Sequence, residues 1–152
     1  MHKLIVFSVI SSLFILNLLT SNAMSQDSHM ESTQTAQSVD VKSKMHFLLH
    51  LPAGYHVDLD KNWPLLVFLH GAGERGDDLE LVKKWGPPKM VEAKQDLPFV
   101  VVSPQCPTDV FWNIEHLSQL IDSVIKNNRV DQKRVYLTGL SMGGYGTWGL
   151  AQ

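Results

Sequence analysis

The sequence predicts an α/β fold in which a mostly parallel sheet is covered by helices on both faces. Three short apolar segments, residues 65–69, 99–102 and 135–138, are each followed directly by a polar residue or a glycine. Their apolarity is continuous rather than alternating, which is typical of strands buried on both faces in a parallel sheet. A helical pattern separates the second segment from the third, so the chain alternates strand and helix.

The remaining elements follow from local patterns. Residues 45–51 are rich in apolar side chains and end at a proline, which predicts a strand near a sheet edge. Residues 79–93 carry a weaker helical pattern that a Gly-Pro-Pro sequence interrupts. Residues 114–125 place apolar side chains at helical spacing, with Asn113 as the N-cap and Asn127 near the stop.

The first 23 residues have the organisation of a signal peptide. Lys3 supplies a short positive region, residues 4–19 are mainly apolar, and residues 21–23 form a small-x-small cleavage sequence. Serines and an asparagine interrupt the apolar run, which falls short of the roughly 20 apolar residues that a spanning helix needs. We expect cleavage after Ala23, no stable membrane insertion afterwards, and a secreted or periplasmic protein. An uncleaved membrane anchor is the alternative.

A polar segment separates this signal from the predicted domain. Residues 24–44 are rich in Ser, Thr and Gln and contain few large apolar side chains. Such a segment buries little surface to offset its ordering entropy, so a poorly ordered linker is predicted. The folded domain is expected to span residues 45–152.

Composition excludes several function classes. Thirteen Lys and Arg against fifteen Asp and Glu give a net charge of −2, so the chain has no basic field for nucleic acid. The single cysteine, Cys106, permits neither an internal disulfide nor a cysteine-based zinc site. The seven histidines form no HExxH or similar ligand spacing. We expect no metal and no organic cofactor.

A GxSxG sequence at residues 139–143, called the elbow below, carries the predicted chemistry. It follows an apolar strand and precedes a predicted helical segment, the context in which a strained turn raises a serine above a sheet. Gly139 and Gly143 are expected to flank Ser141 because a side chain at either position would collide with a neighbouring element. Ser141 is the predicted nucleophile.

A second glycine-rich sequence strengthens this prediction. His70-Gly71-Ala72-Gly73, called the HGAG loop below, follows an earlier apolar strand. This is the pattern of a loop that supplies one backbone N–H to an oxyanion hole, the second N–H coming from the residue after the nucleophile, Met142. Each such donor is worth about 2.7–4 kcal/mol of barrier height.

These segments resemble a known family. PLLVFLHGAGERGDD, FVVVSPQCP and RVYLTGLSMGGYGTWGLA are similar to secreted α/β-hydrolase esterases of the dienelactone-hydrolase and polyhydroxybutyrate-depolymerase-like group, including predicted peptidases and phospholipase/carboxylesterase-like members. The resemblance covers residues 45–152 and implies an α/β-hydrolase fold. It also implies Ser141 as the nucleophile, with Ala72 and Met142 as backbone oxyanion donors.

The resemblance implies two further features. Gly71 and Gly73 are expected to shape the HGAG loop, with His70 as part of its scaffold. In this fold the catalytic acid and histidine follow the nucleophile in the chain, yet residues 142–152 contain no Asp, Glu or His. The chain is therefore expected to be the N-terminal part of a hydrolase domain, truncated after the elbow and inactive alone.

Other chemically notable side chains have ordinary structural explanations. Cys106 is expected to be a small buried thiol, because no feature of the sequence lowers its pKa. The acidic residues after the HGAG loop are expected to be solvated, and the tryptophans to lie in the core. These side chains are Glu74, Asp77 and Asp78, and Trp85, Trp112 and Trp148; His116 is expected to be solvated or packed on its helix.

The predicted function is hydrolysis of carboxylic esters, small or polymeric, through an acyl-enzyme on Ser141. Peptide or thioester cleavage would use the same groups and is the alternative within enzymes. An exported, non-catalytic binding module is the alternative from another class of protein.

Overall fold

The computed structural model describes the backbone of Ile5–Val6 together with residues 32–40 and 44–152. The rest of the predicted signal peptide, including its cleavage site after Ala23, lies outside the described residues. Within the part that is described, no helix combines the length and apolarity needed to cross a membrane.

Six strands and three α-helices make up the described chain. The strands are β1 (Ile5–Val6), β2 (Thr33–Asp40), β3 (Lys44–Leu51), β4 (Trp63–Leu69), β5 (Val100–Pro104) and β6 (Val130–Gly139). The α-helices are α1 (Gly86–Glu92), α2 (Ile114–Asn127) and α3 (Met142–Leu150), and 3-10 turns span Ala72–Glu74 and Leu79–Lys84.

All six strands form one mixed sheet in the order β1-β6-β4-β5-β3-β2. β1, β6, β4 and β5 run parallel, whereas β3 and β2 are antiparallel to their neighbours. The predicted α/β class with a mostly parallel core is confirmed. β4 lies between β6 and β5, so the carboxyl ends of these three parallel strands lie side by side.

The polar segment before the domain differs from its prediction. Residues 33–40, expected to belong to a poorly ordered linker, form β2 and pair along their whole length with β3. The outer position explains this, because an edge strand gains backbone hydrogen bonds while its polar side chains stay in solvent. β3, predicted near an edge, is consequently second from it.

The core has the composition that the apolar segments predict. Every residue of β5 is buried, and β4 contributes fully buried Leu65, Val67 and Leu69. On one face α2 adds Leu117 and Leu120, also fully buried. Continuous apolarity therefore corresponds to strands covered on both sides.

The two predicted helical segments are both present, the first in two pieces. The first piece, a 3-10 turn, ends at Lys84, and the second begins at Gly86. Gly86 has φ +60, and a Cβ there would lie 2.6 Å from the Phe68 ring. Two prolines then begin α1, where their missing N–H groups cost nothing. α2 begins as predicted, with the Asn113 side chain accepting a hydrogen bond from the His116 N–H at 3.0 Å.

Candidate active site

The elbow joins the end of β6 to the start of α3. Ser141 is exposed between them with φ +51 and ψ −113, a backbone conformation that L-residues rarely adopt. Such a conformation costs about 1–3 kcal/mol and persists where the surroundings fix it. The turn therefore presents the Ser141 hydroxyl to solvent at the carboxyl end of β6.

Two glycines make this turn sterically possible. A Cβ on Gly139 would lie 2.2 Å from the Gly143 carbonyl oxygen, at the start of α3. A Cβ on Gly143 would lie 1.9 Å from the carbonyl oxygen of Leu69, at the end of β4. Both obstacles are backbone atoms, so the predicted collisions with a neighbouring helix and strand are confirmed.

The HGAG loop lies directly beside the elbow. β4 and β6 are adjacent parallel strands whose register pairs Leu69 with Gly139, so the loops after them start side by side. The Leu140 N–H donates to the Leu69 carbonyl at 3.0 Å. A Cβ built on Gly71 would lie 3.7 Å from Cβ of Ser141. The two motifs, about seventy residues apart in the chain, thus form one site.

The two predicted oxyanion donors occupy equivalent positions in this site. Ala72 is the first residue of a 3-10 turn, and Met142 is the first residue of α3. N–H groups in a first helical turn have no acceptor within the helix. Both N–H groups therefore lack an acceptor within their own helical turn, and their roles in a reaction stay predictions.

His70 is a structural part of the loop. It is fully buried, its Nε2 accepts from the Cys106 N–H at 3.0 Å, and its Nδ1 lies 2.7 Å from the Gly71 carbonyl oxygen. This pattern requires the neutral tautomer with its proton on Nδ1. Burial lowers the pKa of His70, outweighing the opposing effect of the Gly71 carbonyl. Both ring nitrogens are engaged, as expected for a scaffold residue rather than a base.

Three side chains not assigned from the sequence hold the HGAG loop. The Glu74 Oε2 accepts from the Gly71 N–H at 3.1 Å, and the Arg75 Nε donates to the Ala72 carbonyl at 3.0 Å. Trp112 Nε1 donates to the His70 carbonyl at 3.3 Å. Glu74 lies three residues after the N-cap Gly71, the position of the glutamate in a capping box, but Gly71 has no side chain to form the other half, so the sequence carried no complete signal for this contact.

Gln105 fixes the far side of the same loop. Its Nε2 donates to the Glu74 carbonyl at 3.1 Å and to the Asp78 carbonyl at 2.8 Å. Because Gln105 follows β5 directly, it ties the end of that strand to the segment after the HGAG loop.

The expectations for the surrounding side chains have mixed outcomes. Asp77 and Asp78 are exposed as predicted, but Glu74 is buried, because its carboxyl caps the loop and accepts two hydrogen bonds. Trp112 is buried, whereas Trp85 and Trp148 are 49% and 66% exposed, so their assignment to the core was wrong. Their positions explain the exposure, because Trp85 directly precedes α1 and Trp148 lies on an outward face of α3.

Cys106 is buried as predicted, and burial raises the pKa of its thiol to about 11.

Among the described residues there is no group of three or more His, Cys, Asp or Glu side chains that could hold a metal ion. The Ser141 hydroxyl has no hydrogen-bond partner within that part of the chain.

An apolar cavity of about 700 Å³ adjoins the elbow. It runs along β6 on the face that carries α1 and is lined by Phe68, Trp85, Met90 and Tyr136, ending at Leu140. Exposed aromatic surface is therefore available on one side of the site.

The mixed sheet, its helices and the elbow define an α/β-hydrolase-like fold. Over 98 residues, 60% of its length, the chain is 36% identical to the bifunctional acetylxylan esterase/xylanase XynS20E of Neocallimastix patriciarum, covering 14% of that protein. No protein-family model matches the chain.

Solved structures with the same fold include several esterases. One is a thermostable esterase, with 32% identity and a TM-score of 0.59 over 76% of this chain and 36% of that one. A ferulic acid esterase has 21% identity and a TM-score of 0.58 over 77% and 53% of the two chains. An S-formylglutathione hydrolase from Agrobacterium tumefaciens has 19% identity and a TM-score of 0.56 over 84% and 55%. This chain thus spans about a third to a half of these structures.

Proposed function

We propose that this chain carries the nucleophile and oxyanion site of a serine hydrolase acting on carboxylic esters. The observation that carries the proposal is Ser141 at φ +51, raised on a glycine-flanked turn directly against Gly71 of the HGAG loop. Similarity to an acetylxylan esterase/xylanase and to a thermostable esterase supports ester rather than peptide or thioester substrates.

In the proposed mechanism the Ser141 hydroxyl attacks the ester carbonyl, and the Ala72 and Met142 N–H groups stabilise the developing oxyanion. An acyl-enzyme forms on Ser141, the alcohol leaves, and water releases the acid. His70 cannot serve as the base while both of its nitrogens bind backbone groups. In the proposed mechanism a histidine with an acidic partner takes the Ser141 proton, and residues 142–152 contain no Asp, Glu or His.

Export completes the proposal. Residues 1–23 would direct the protein out of the cytoplasm, leaving residues 45–152, together with β2, as part of the hydrolase domain. A small or polymeric ester outside the cell, such as an acyl group on a polysaccharide, fits both an exported enzyme and the similarity to the acetylxylan esterase/xylanase.

Substitution Ser141→Ala in the full-length gene product tests this function. Burst acylation by a short-chain nitrophenyl ester should disappear, and kcat should fall by up to about 10⁶-fold, because the nucleophile is gone. Ser118→Ala, at an exposed position of α2, is the matched control and should behave as the unsubstituted protein. Undiminished hydrolysis by Ser141→Ala would contradict the proposal and place the catalysis at another site, whereas no hydrolysis by the unsubstituted protein would favour a non-catalytic module.

A further inference from the structure

Glu74 has an unusual environment for a loop carboxyl group. It is only 8% exposed. One oxygen accepts from the Gly71 N–H at 3.1 Å and the other from the Trp85 Nε1–H at 3.2 Å. Both partners can only donate, so the site uses the carboxyl as a double acceptor. Losing such an acceptor leaves a buried N–H unsatisfied.

The Gly71 contact lies next to the nucleophile. A Cβ on Gly71 would be 3.2 Å from Glu74 Oε2 and 3.7 Å from Cβ of Ser141. Gly71 therefore lies between the Glu74 carboxyl and the elbow. The N–H of Ala72 belongs to the next peptide group, so its direction depends on how Gly71 is held.

The other atoms of the HGAG loop are held by different partners. His70 Nδ1 donates to the Gly71 carbonyl, and Arg75 Nε donates to the Ala72 carbonyl. Glu74 is the side chain that holds the Gly71 N–H. Three separate side chains thus hold the groups on either side of the Ala72 N–H, namely the Gly71 N–H, the Gly71 carbonyl and the Ala72 carbonyl.

Resting on the proposed function, we propose that Glu74 is a positioning residue of the oxyanion site. Its carboxyl anchors the Gly71 N–H and so keeps the Ala72 N–H directed at the carbonyl of an ester on Ser141. The contribution is a hydrogen-bond acceptor at a fixed place, not a charge. A shift of about 1 Å in such a group can cost about 100-fold in rate.

Three substitutions in the full-length gene product separate acceptor from charge. Glu74→Met has a similar length but no acceptor, Glu74→Gln keeps one acceptor at full length, and Glu74→Asp keeps the charge but is one methylene too short to reach Gly71. Glu80→Met, at an exposed position of the next 3-10 turn, is the control. The readout is kcat and KM for a short-chain nitrophenyl ester, per active site titrated by burst acylation.

We expect Glu74→Met to lower kcat about 30- to 100-fold with KM changed less than about threefold, because donor geometry acts on the transition state. Glu74→Asp should lower kcat about tenfold, and Glu74→Gln should stay within about fivefold of the unsubstituted protein. Normalising to titrated sites removes any effect of misfolded protein, so a role in folding alone would leave kcat unchanged.

The order of the variants decides the proposal. Unchanged kcat in Glu74→Met, a loss confined to KM, or a Glu74→Asp enzyme faster than Glu74→Gln would overturn it. If Glu74→Met does not fold, the Gln and Asp pair decides by the same order. Ser141→Ala measured alongside separates the two hypotheses: if it abolishes activity while the Glu74 variants match the unsubstituted protein, only the role of Glu74 is wrong.

Discussion

Gly143 is the residue at which the elbow tolerates the least change, because the end of β4 passes directly beside its Cα. A Cβ there would meet the Leu69 carbonyl oxygen at 1.9 Å and the His70 carbonyl oxygen at 2.9 Å. The next residue, Gly144, is in a different situation, since its nearest such neighbour, the Gly139 carbonyl oxygen, would lie 3.8 Å away. Two adjacent glycines of one helix thus have different physical reasons for their identity.

The pair gives a matched prediction. Gly143→Ala should lower the free energy of unfolding by about 3 kcal/mol, the upper end for overpacking, because backbone must move. Gly144→Ala should be neutral or stabilising by up to about 1 kcal/mol, since alanine favours helix over glycine. Denaturant titration of both variants measures the difference. Equal stabilities would mean that β4 and α3 separate more easily than their contact indicates.

At the scale of elements, one histidine joins the ends of β4 and β5. His70 follows β4 and accepts from the N–H of Cys106, which follows β5 closely. Burial lowers the pKa of His70, so it stays neutral in the folded chain at pH values where the unfolded chain takes up a proton. The unfolded state then binds more protons, and stability falls as pH decreases below about 6.5.

Replacing His70 should weaken the dependence of the free energy of unfolding on pH below about 6.5. One proton changes the free energy of unfolding by at most about 1.4 kcal/mol per pH unit, and His70→Asn should reduce the slope below pH 6.5 by up to that amount. Part of the slope should persist, because burial also lowers the pKa of His50. Denaturant titrations from pH 7.5 to 5 measure it, with His56→Asn at an exposed position as control. An identical slope in His70→Asn would show that His70 is protonated equally in both states.

Elements with strong local signals were predictable from the sequence. β4 and β5 are continuous apolar segments, and α2 combines helical periodicity with an N-cap at Asn113. β2 was not predictable, because its stability comes from backbone pairing with β3 rather than from its own side chains. Pairing between distant segments leaves no pattern in a polar edge strand.

The candidate site was likewise predictable from the sequence only in part. The juxtaposition of the HGAG loop and the elbow follows from two motifs that each end a parallel strand. The buried state of Glu74 does not follow, because it depends on Trp85 and Gln105, which are brought there by the fold. Motifs therefore predict the backbone of the site, whereas the side chains that hold it depend on tertiary contacts.

At the scale of the whole molecule, the two edges of β6 are paired to different extents. Its inner edge pairs with β4, while among the described residues Ile5–Val6 alone pair with its outer edge, opposite Tyr136 and Leu137. The cavity of about 700 Å³ lies against one face of β6, and another of about 190 Å³, lined by Ile121 and Ile125 among others, lies against the other face. An uncovered strand edge between apolar surfaces favours association with other chains.

Loss of residues 1–23, as signal cleavage predicts, would remove β1 and leave this edge of β6 open. Amide hydrogens of residues 135–138 that face β1 should then exchange about tenfold faster or more in a chain starting at Met24 than in the chain starting at Met1, because an unpaired edge opens locally at lower free energy. Amides of residues 65–69 in β4, which has a partner strand on each side, serve as the internal control and should exchange alike in both chains. Mass-spectrometric hydrogen exchange measures both segments, and sedimentation should show stronger self-association of the shorter chain. Equal exchange at residues 135–138 would mean that pairing with Ile5–Val6 does not protect β6, in which case cleavage of the leader leaves the packing of the sheet unchanged.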